Sequence, residues 1–297
     1  MDKAWKIRTA TLVSGLALTC MLDPPANAQP VLVDPADMGY WSFTSASSSG
    51  AILTNPPGYF GGMVTGPATP PLGTGSAQLE LAAGNGAGAE ILANTNYAGT
   101  PLSSLTALSY STYLTNNAPN GQQFPYLAVD IKGTVNGTTT YDTLFFEPPY
   151  QTTSTGNPLL PNQQATALDT WQTWNALEGG WWDNDGYCKP GTGVQTLATC
   201  TTAFTDPTII NAFGTATALY SSVLPGVGGL QLQVGFADAS DAFNGYVDAL
   251  TVGINGTNTT YNFDPNPAPA PEPGTLALLG TGLLGAVAAR RRGRRGA

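Results

Sequence analysis

The middle of the chain alternates short runs of Val, Ile, Tyr, Phe and Thr with clusters of Gly, Pro, Asn and Ser. In residues 230–236, every second residue from Leu230 is apolar and its neighbours are polar or small, which predicts a strand with one face toward water. One short helix is predicted at residues 207–213, where Asp206 is placed to cap the first turn. Similar apolar runs predict nine strands, at residues 40–44, 77–82, 107–114, 126–132, 139–146, 170–177, 230–236, 246–252 and 259–263.

Because the sequence predicts no layer of helices on which these strands could pack, we expect an all-β fold. We expect a two-sheet antiparallel sandwich of the jelly-roll type over residues 29–265. That length suits one large β-domain with a substantial core. No repeat of fixed period is visible in the sequence, which disfavours a solenoid or a propeller.

The N-terminus has the three parts of a secretory signal peptide. Basic residues within the first eight positions are followed by an apolar run at 9–22 and by the small-residue cleavage site Ala26-Asn27-Ala28. We therefore assign residues 1–28 to a signal peptide and expect the mature chain to begin at Gln29. Cys20 lies in this segment without the flanking residues that a lipoprotein signal requires, so lipidation is not expected.

The C-terminus also has three parts. A Pro/Ala-rich linker at 266–273 ends in Pro271-Glu272-Pro273, an apolar run covers 274–289, and a basic tail with five arginines covers 290–297. The apolar run predicts a single hydrophobic helix. At about 1.5 Å per residue that helix would cover roughly 24 Å, which is short of the ~30 Å hydrocarbon core. This favours temporary membrane insertion, and the arginines favour a cytoplasmic location for the tail.

This order of parts resembles the PEP-CTERM sorting signal of exopolysaccharide-producing bacteria. The resemblance implies that an exosortase-type transpeptidase recognises the triplet Pro271, Glu272 and Pro273, cuts nearby, and releases or re-attaches the protein at the cell surface. The alternative is an ordinary C-terminal transmembrane anchor, transient or permanent, that follows a proline-rich linker. In both cases the body of the protein is exported to the cell envelope, the surface or the extracellular matrix.

The net charge of the exported region limits the kinds of partner that it can bind. Once the two terminal signals are set aside, only Lys132 and Lys189 remain against 17 acidic residues, a net charge of about −15. Nucleic acid is therefore not an expected partner. The chain contains no histidine, which excludes Ser-His-Asp and Cys-His catalysis and removes the usual ligand of zinc and copper. Any metal site would have to be built from oxygen atoms.

Two cysteines, Cys188 and Cys200, remain in the exported region. Because that environment is oxidising, we predict that they form a disulfide. In the chain-entropy model such a loop contributes roughly 3 kcal/mol to stability.

Several segments in the exported region share a further resemblance. They resemble a recurrent family of secreted bacterial β-sandwich domains, related in appearance to concanavalin A-like lectins and carbohydrate-binding modules. The resemblance implies a fold and does not by itself imply an activity. The segments are GTGSAQLEL at 73–81, TALSYSTYL at 106–114, YLAVDI at 126–131, LFFEP at 144–148, WQTWNALEGGWW at 171–182, GYVDALTVG at 245–253 and YNFDP at 261–265.

Glycan cleavage on such a scaffold would require two carboxylates in one cleft, about 5 to 5.5 Å apart for a retaining enzyme. Sandwich glucanases carry their acids as Glu-x-Asp-x-x-Glu on one strand. The segment around Asp130 has one acid where three are needed, and Glu147 and Glu178 stand alone. The expectation is therefore a non-enzymatic protein. A glycan-cleaving enzyme with acids from distant strands is the alternative.

Aromatic residues near position 180 are candidates for glycan binding, because exposed rings stack on the apolar faces of sugars. The candidates are Trp181, Trp182 and Tyr187. Adjacent residues on a strand point to opposite faces, so at least one of the two tryptophans can be a core residue. Trp182 and Tyr187 are the preferred members of an exposed platform, and burial in the sandwich interior is the competing interpretation for each tryptophan.

Two acidic loops are candidates for calcium binding. In the first loop, Asp183 and Asp185 place oxygen ligands at alternate positions before a glycine that permits a turn. Asp238 and Asp241 belong to a second oxygen-rich loop. Neither loop is a complete EF-hand, and ordinary turns have the same composition. Calcium binding and a purely structural turn both remain open for each loop.

Together these features predict an exported, non-enzymatic component of the cell surface or exopolysaccharide matrix, either structural or glycan-associating. Extracellular polysaccharide is the expected ligand class, bound by weak multivalent contacts. Besides the glycan-cleaving enzyme, an ice-binding or adhesion protein is an alternative. The chain is rich in threonine, but the Thr-x-Thr pattern of a regular ice-binding array does not recur.

Overall fold

The computed structural model describes residues 29–115, 123–152, 160–188, 193–211 and 228–266. The predicted signal peptide and the C-terminal segment with its PEP triplet, hydrophobic helix and basic tail lie outside these ranges. Among the described residues, no helix is long and apolar enough to cross a bilayer.

The described residues form a nearly all-β fold. Within the described ranges, helical structure is limited to α1 (Leu197–Cys200) and two 3₁₀ turns, Leu102–Ser104 and Pro148–Tyr150. The strands are β1 (Val31–Val33), β2 (Trp41–Ala46), β3 (Ile52–Leu53), β4 (Tyr59–Thr65), β5 (Gly75–Leu81), β6 (Ala89–Asn94), β7 (Leu105–Leu114), β8 (Tyr126–Val135), β9 (Thr138–Phe146), β10 (Gln172–Asn175), β11 (Thr205–Ile209), β12 (Leu230–Gly235), β13 (Phe243–Ile254) and β14 (Thr257–Phe263).

The strands form two sheets. In the first sheet, the central strand β13 pairs with β7 along one edge and with β5 and β14 along the other. Each of these three strands has one outer neighbour: β10 pairs with β7, β4 with β5, and β1 with β14. In the second sheet, the order is β9-β8-β12-β6-β2-β3, and β11 shares with β12 the same edge of β8. All described pairings are antiparallel except that of β1 with β14, which is parallel. The predicted two-sheet all-β sandwich is confirmed.

The core lies between the two sheets. Its largest fully buried side chains are Trp174, Trp181, Tyr110, Phe146, Phe243 and Phe263. At one end of the core Trp41 packs edge-on against Tyr261 and Phe263, with ring centroids 5.2 and 5.0 Å away. Because Trp41 belongs to the second sheet and the other two rings to the first, these contacts hold the sheets together.

All nine predicted strands are present, with ends that shift by a few residues. The helix predicted at 207–213 is wrong as far as it is described, because Thr205–Ile209 is a strand that pairs with β8. The short helix α1 lies earlier and is capped by Thr196, whose hydroxyl accepts a hydrogen bond from the Thr199 amide at 3.0 Å. Asp206, the predicted cap, lies within β11 instead.

The prediction of a water-facing side for β12 is also wrong. Leu230 and its alternate neighbours do face the core, yet Gln231 and Gln233 on the other side are only 3% and 2% exposed. Gln231 Nε2 donates a hydrogen bond to Asp130 Oδ2, and Thr143 Oγ1 donates to Asp130 Oδ1 at 2.7 Å. Gln231 can be buried on this face because its amide pairs with the Asp130 carboxyl group.

The predicted disulfide between Cys188 and Cys200 is present. It connects α1 to the end of the segment that carries Trp181 and Trp182. That segment extends the second sheet beyond β9, since Trp182 pairs with Phe145 through backbone hydrogen bonds of 2.9 and 3.0 Å.

Candidate functional site

A cleft of about 490 Å³ lies on the face of the second sheet that points away from the core. Core residues alternate along β8 and β9 with the residues of this face, so Tyr126 and Phe145 face outward between inward-facing neighbours. We call this site the aromatic cleft. Its lining residues are Gln123, Tyr126, Phe145, Glu147, Trp182, Asn184, Gly235 and Phe236.

Stacked rings form one wall of the aromatic cleft. Trp182 lies nearly parallel to Phe145, at a centroid distance of 4.6 Å and an interplanar angle of 25°. Phe145 in turn contacts Tyr126 at 6.3 Å. Trp182 is half-buried, whereas Phe236 across the cleft is 39% exposed. The site therefore presents flat apolar surface on a rigid strand pair.

Polar groups lie beside the rings. Glu147 follows directly after β9, and burial raises the pKa of its carboxyl to about 8. At neutral pH this group is mostly protonated, so it can both donate and accept hydrogen bonds. The Asn184 amide is exposed at the rim. Of the described residues that line the cleft, Glu147 alone carries a carboxyl group.

The three aromatic residues that were predicted to form a glycan-binding platform lie in three different environments. Trp181 is fully buried and its indole N–H donates to the Ala176 carbonyl at 2.8 Å, so it is a core residue. Trp182 faces the aromatic cleft. Tyr187 packs against Phe204 with a centroid distance of 4.7 Å and is not among the cleft-lining residues. Only Trp182 retains the position that glycan stacking requires.

The acidic loops differ from the calcium sites that their sequence indicated. Both oxygens of Asp183 accept backbone hydrogen bonds, from Gly186 at 2.9 Å and Cys188 at 2.8 Å, so this carboxylate stabilises its own turn. In the second loop Asp238 is exposed and Asp241 is buried. Among the described residues, no three acidic, histidine or cysteine side chains converge on a metal-sized site. Calcium binding stays a prediction from sequence alone.

Asp142 is a buried acid that the sequence analysis did not single out. It is 1% exposed and faces inward from β9, beside the loop that carries Asp183 and Asp185. Burial, followed by the negative charges of these two residues, raises the pKa of Asp142 to about 9. Asp142 Oδ1 accepts a hydrogen bond from the Thr143 amide at 2.8 Å, whereas Asp142 Oδ2 is buried without a hydrogen-bond partner. The sequence did contain an indication that Asp142 is buried. On a strand, Asp142 shares a face with Leu144 and Phe146, which are core residues.

Residues 269–292 match a family model described as the PEP-CTERM protein-sorting motif. No curated protein and no solved structure matches the chain. The motif confirms the predicted sorting signal. The protein is therefore exported, is processed through an exosortase, and is anchored at or passes through the cell envelope.

Proposed function

We propose that the exported β-sandwich binds extracellular polysaccharide through the aromatic cleft and does not cleave it. The observation that carries this proposal is the half-buried Trp182, stacked on Phe145 at the wall of an open cleft. Sugar rings have an apolar C–H face that packs on such a surface, while their hydroxyls require nearby hydrogen-bonding groups. Glu147 and Asn184 supply those groups.

The dimensions of the cleft agree with a small section of a glycan chain. A volume of about 490 Å³ lies within the range of roughly 300 to 1,000 Å³ that is usual for small-molecule sites. One such cleft gives weak binding. A protein displayed in many copies at a surface gains affinity by multivalent attachment to a repeating polymer.

Charge favours a neutral polysaccharide. The exported region has a net charge of about −15, which repels polyanions over a Debye length of roughly 8 Å. Within the cleft, the raised pKa of Glu147 removes the negative charge near neutral pH. An acidic polysaccharide would require bridging cations, which a chelator would remove.

A non-catalytic role is supported by the carboxyl groups of the cleft. Hydrolysis with retention or inversion uses two carboxyls, about 5 to 9.5 Å apart. The described lining supplies Glu147 alone, and Asp130 on the same face is already held by Thr143 and Gln231. The rival glycan-cleaving function is tested in the same experiment as binding.

The test is affinity electrophoresis of the purified protein in gels that contain neutral or acidic polysaccharides, with calcium and with chelator. We expect retardation by a neutral polysaccharide and a loss of roughly five- to thirtyfold in affinity for Trp182→Ala, the range for truncating a central aromatic contact. Tyr40→Ala is the matched control, since Tyr40 is 63% exposed and does not line the cleft.

Two results would contradict the proposal. Equal retardation of the wild type and Trp182→Ala would remove the cleft as the binding site. Release of new reducing ends by the wild type, lost in Glu147→Gln, would identify a glycan-cleaving enzyme instead.

A further inference from the structure

A second cavity, of about 350 Å³, opens at the side of the sandwich where the edge strands β3 and β4 of the two sheets lie opposite each other. We call it the edge cavity. It shares no lining residue with the aromatic cleft. Its lining residues are Phe43, Thr44, Ser45, Ile52, Leu53, Thr54, Asn55, Pro56, Tyr59, Phe60, Gly61 and Glu90.

A buried carboxyl group lies in this cavity. Glu90 on β6 faces inward, at alternate positions with the core residue Leu92, and is only 2% exposed. Ser45 Oγ donates a hydrogen bond to Glu90 Oε2 at 2.6 Å. On the opposite strand is Gly61, where a Cβ atom would overlap both Glu90 Oε1 and the ring of Phe43. A glycine at this position leaves room for the acid between the sheets.

Aromatic side chains line the edge cavity together with Glu90. Phe43 comes from the second sheet and Tyr59 from the first, and both pack against the core. The Tyr59 hydroxyl reaches across to Gly88, where a Cβ atom would overlap it. The cavity that holds the carboxyl group is thus lined by rings from both sheets.

No basic side chain within the described ranges neutralises Glu90. Lys132 is the one basic residue within the described ranges, and it is exposed on β8, on the face away from the core. Burial raises the pKa of Glu90 to about 7, because an unpaired anion is costly in this environment. A bound cation would offset that cost, and the strongly negative exported region would attract one.

We propose that the edge cavity binds the ammonium group of an N-unsubstituted amino sugar, with Glu90 pairing to the cation between the rings of Phe43 and Tyr59. Aromatic rings attract organic cations through the negative potential of their faces. A calcium ion is a poorer match, because it takes six to eight oxygen ligands and the cavity offers one carboxyl group among aromatic walls. Thr54 and Asn55 at the rim supply polar groups for sugar hydroxyls.

The test follows the amide signals of Ser45 and Gly61 by NMR while glucosamine is added to the purified full-length protein. N-acetylglucosamine is the neutral comparison, since it has the same ring without the positive charge. We expect glucosamine to bind at least about tenfold more tightly, the difference that a desolvated cation contact produces. Glu90→Gln should abolish this preference, whereas Glu178→Gln, which alters an exposed acid elsewhere, should preserve it.

The NMR spectrum of Glu90→Gln also reports whether the fold is intact, and glutamine preserves the acceptor for the Ser45 hydroxyl. Equal affinities of the wild type for glucosamine and N-acetylglucosamine would overturn the proposal. So would tighter binding of a blocked lysine derivative, which carries the ammonium group without a sugar ring. Trp182→Ala should leave glucosamine binding unchanged, so the outcome does not depend on the aromatic cleft.

Discussion

The buried acid Asp142 predicts an unusual dependence of stability on pH. Its pKa is about 9 in the folded protein and close to the ordinary 3.8 in the unfolded chain. Between these values the folded protein holds a proton that the unfolded chain has released. The free energy of unfolding must therefore fall as the pH rises through this window.

The variant Asp142→Asn isolates this contribution, because asparagine has nearly the same shape as the protonated acid and carries no titratable group. When the folded protein binds one proton more than the unfolded chain, the free energy of unfolding falls by about 1.4 kcal/mol for each pH unit. From pH 5 to pH 8 we therefore expect the wild type to lose about 4 kcal/mol relative to Asp142→Asn. Five other carboxyls have raised pKa values; they contribute with the same sign to both proteins and cancel in the difference. They are Glu90, Asp130, Glu147, Asp185 and Asp248.

The assay is urea unfolding followed by tryptophan fluorescence at several pH values between 5 and 8, in buffer with chelator. Asp238→Asn, at an exposed acid, should follow the wild type. Parallel stability curves for the wild type and Asp142→Asn would refute the reasoning, since Asp142 would then be ionised in the folded state. Added calcium tests the metal hypothesis in the same assay, because a cation held by Asp183 and Asp185 beside Asp142 would suppress the loss.

Three further predictions concern other parts of the molecule. Reduction of the Cys188–Cys200 disulfide should lower the free energy of unfolding by roughly 3 kcal/mol, measured by urea titration with and without reductant. Thr112→Val should cost about 1 to 3 kcal/mol in the same assay, because it removes the acceptor of the buried Trp174 indole N–H; Thr139→Val, at an exposed strand position, is the control. Glu272→Ala should leave the sorting signal uncut, so that a precursor of higher mass accumulates in the envelope fraction, whereas efficient processing of this variant would contradict recognition of the triplet.

The strands that sequence analysis identified share one local property, a run of β-branched and aromatic residues bounded by turn residues. The longer strands that it missed, β4, β6 and β11, lack an uninterrupted run of this kind. In β6 (Ala89–Asn94) every residue is buried, so no alternation is visible, and β4 (Tyr59–Thr65) contains two adjacent glycines. In β11 (Thr205–Ile209) a proline follows a potential cap and imitates a helix start. These segments become strands because their neighbours in the sheet pair with them.

In the candidate sites, too, some features follow from the local sequence and others only from strand pairing. Sequence alone indicated that Trp181 and Trp182 must face opposite ways, but pairing with Phe145 decided which of them faces the cleft. Phe236 and Glu147 belong to no motif and come to the aromatic cleft from separate strands of the second sheet.

The sequence by itself determined the export route, the strand-rich composition and the single cysteine pair of the exported region, because each depends on residues read in order along the chain. The tertiary structure alone decided that Asp142 meets Asp183, and that Glu90 lies between the sheets opposite Gly61. These contacts join residues that are distant in sequence. They depend on strand order and register across two sheets, and a local pattern of polar and apolar positions does not specify them.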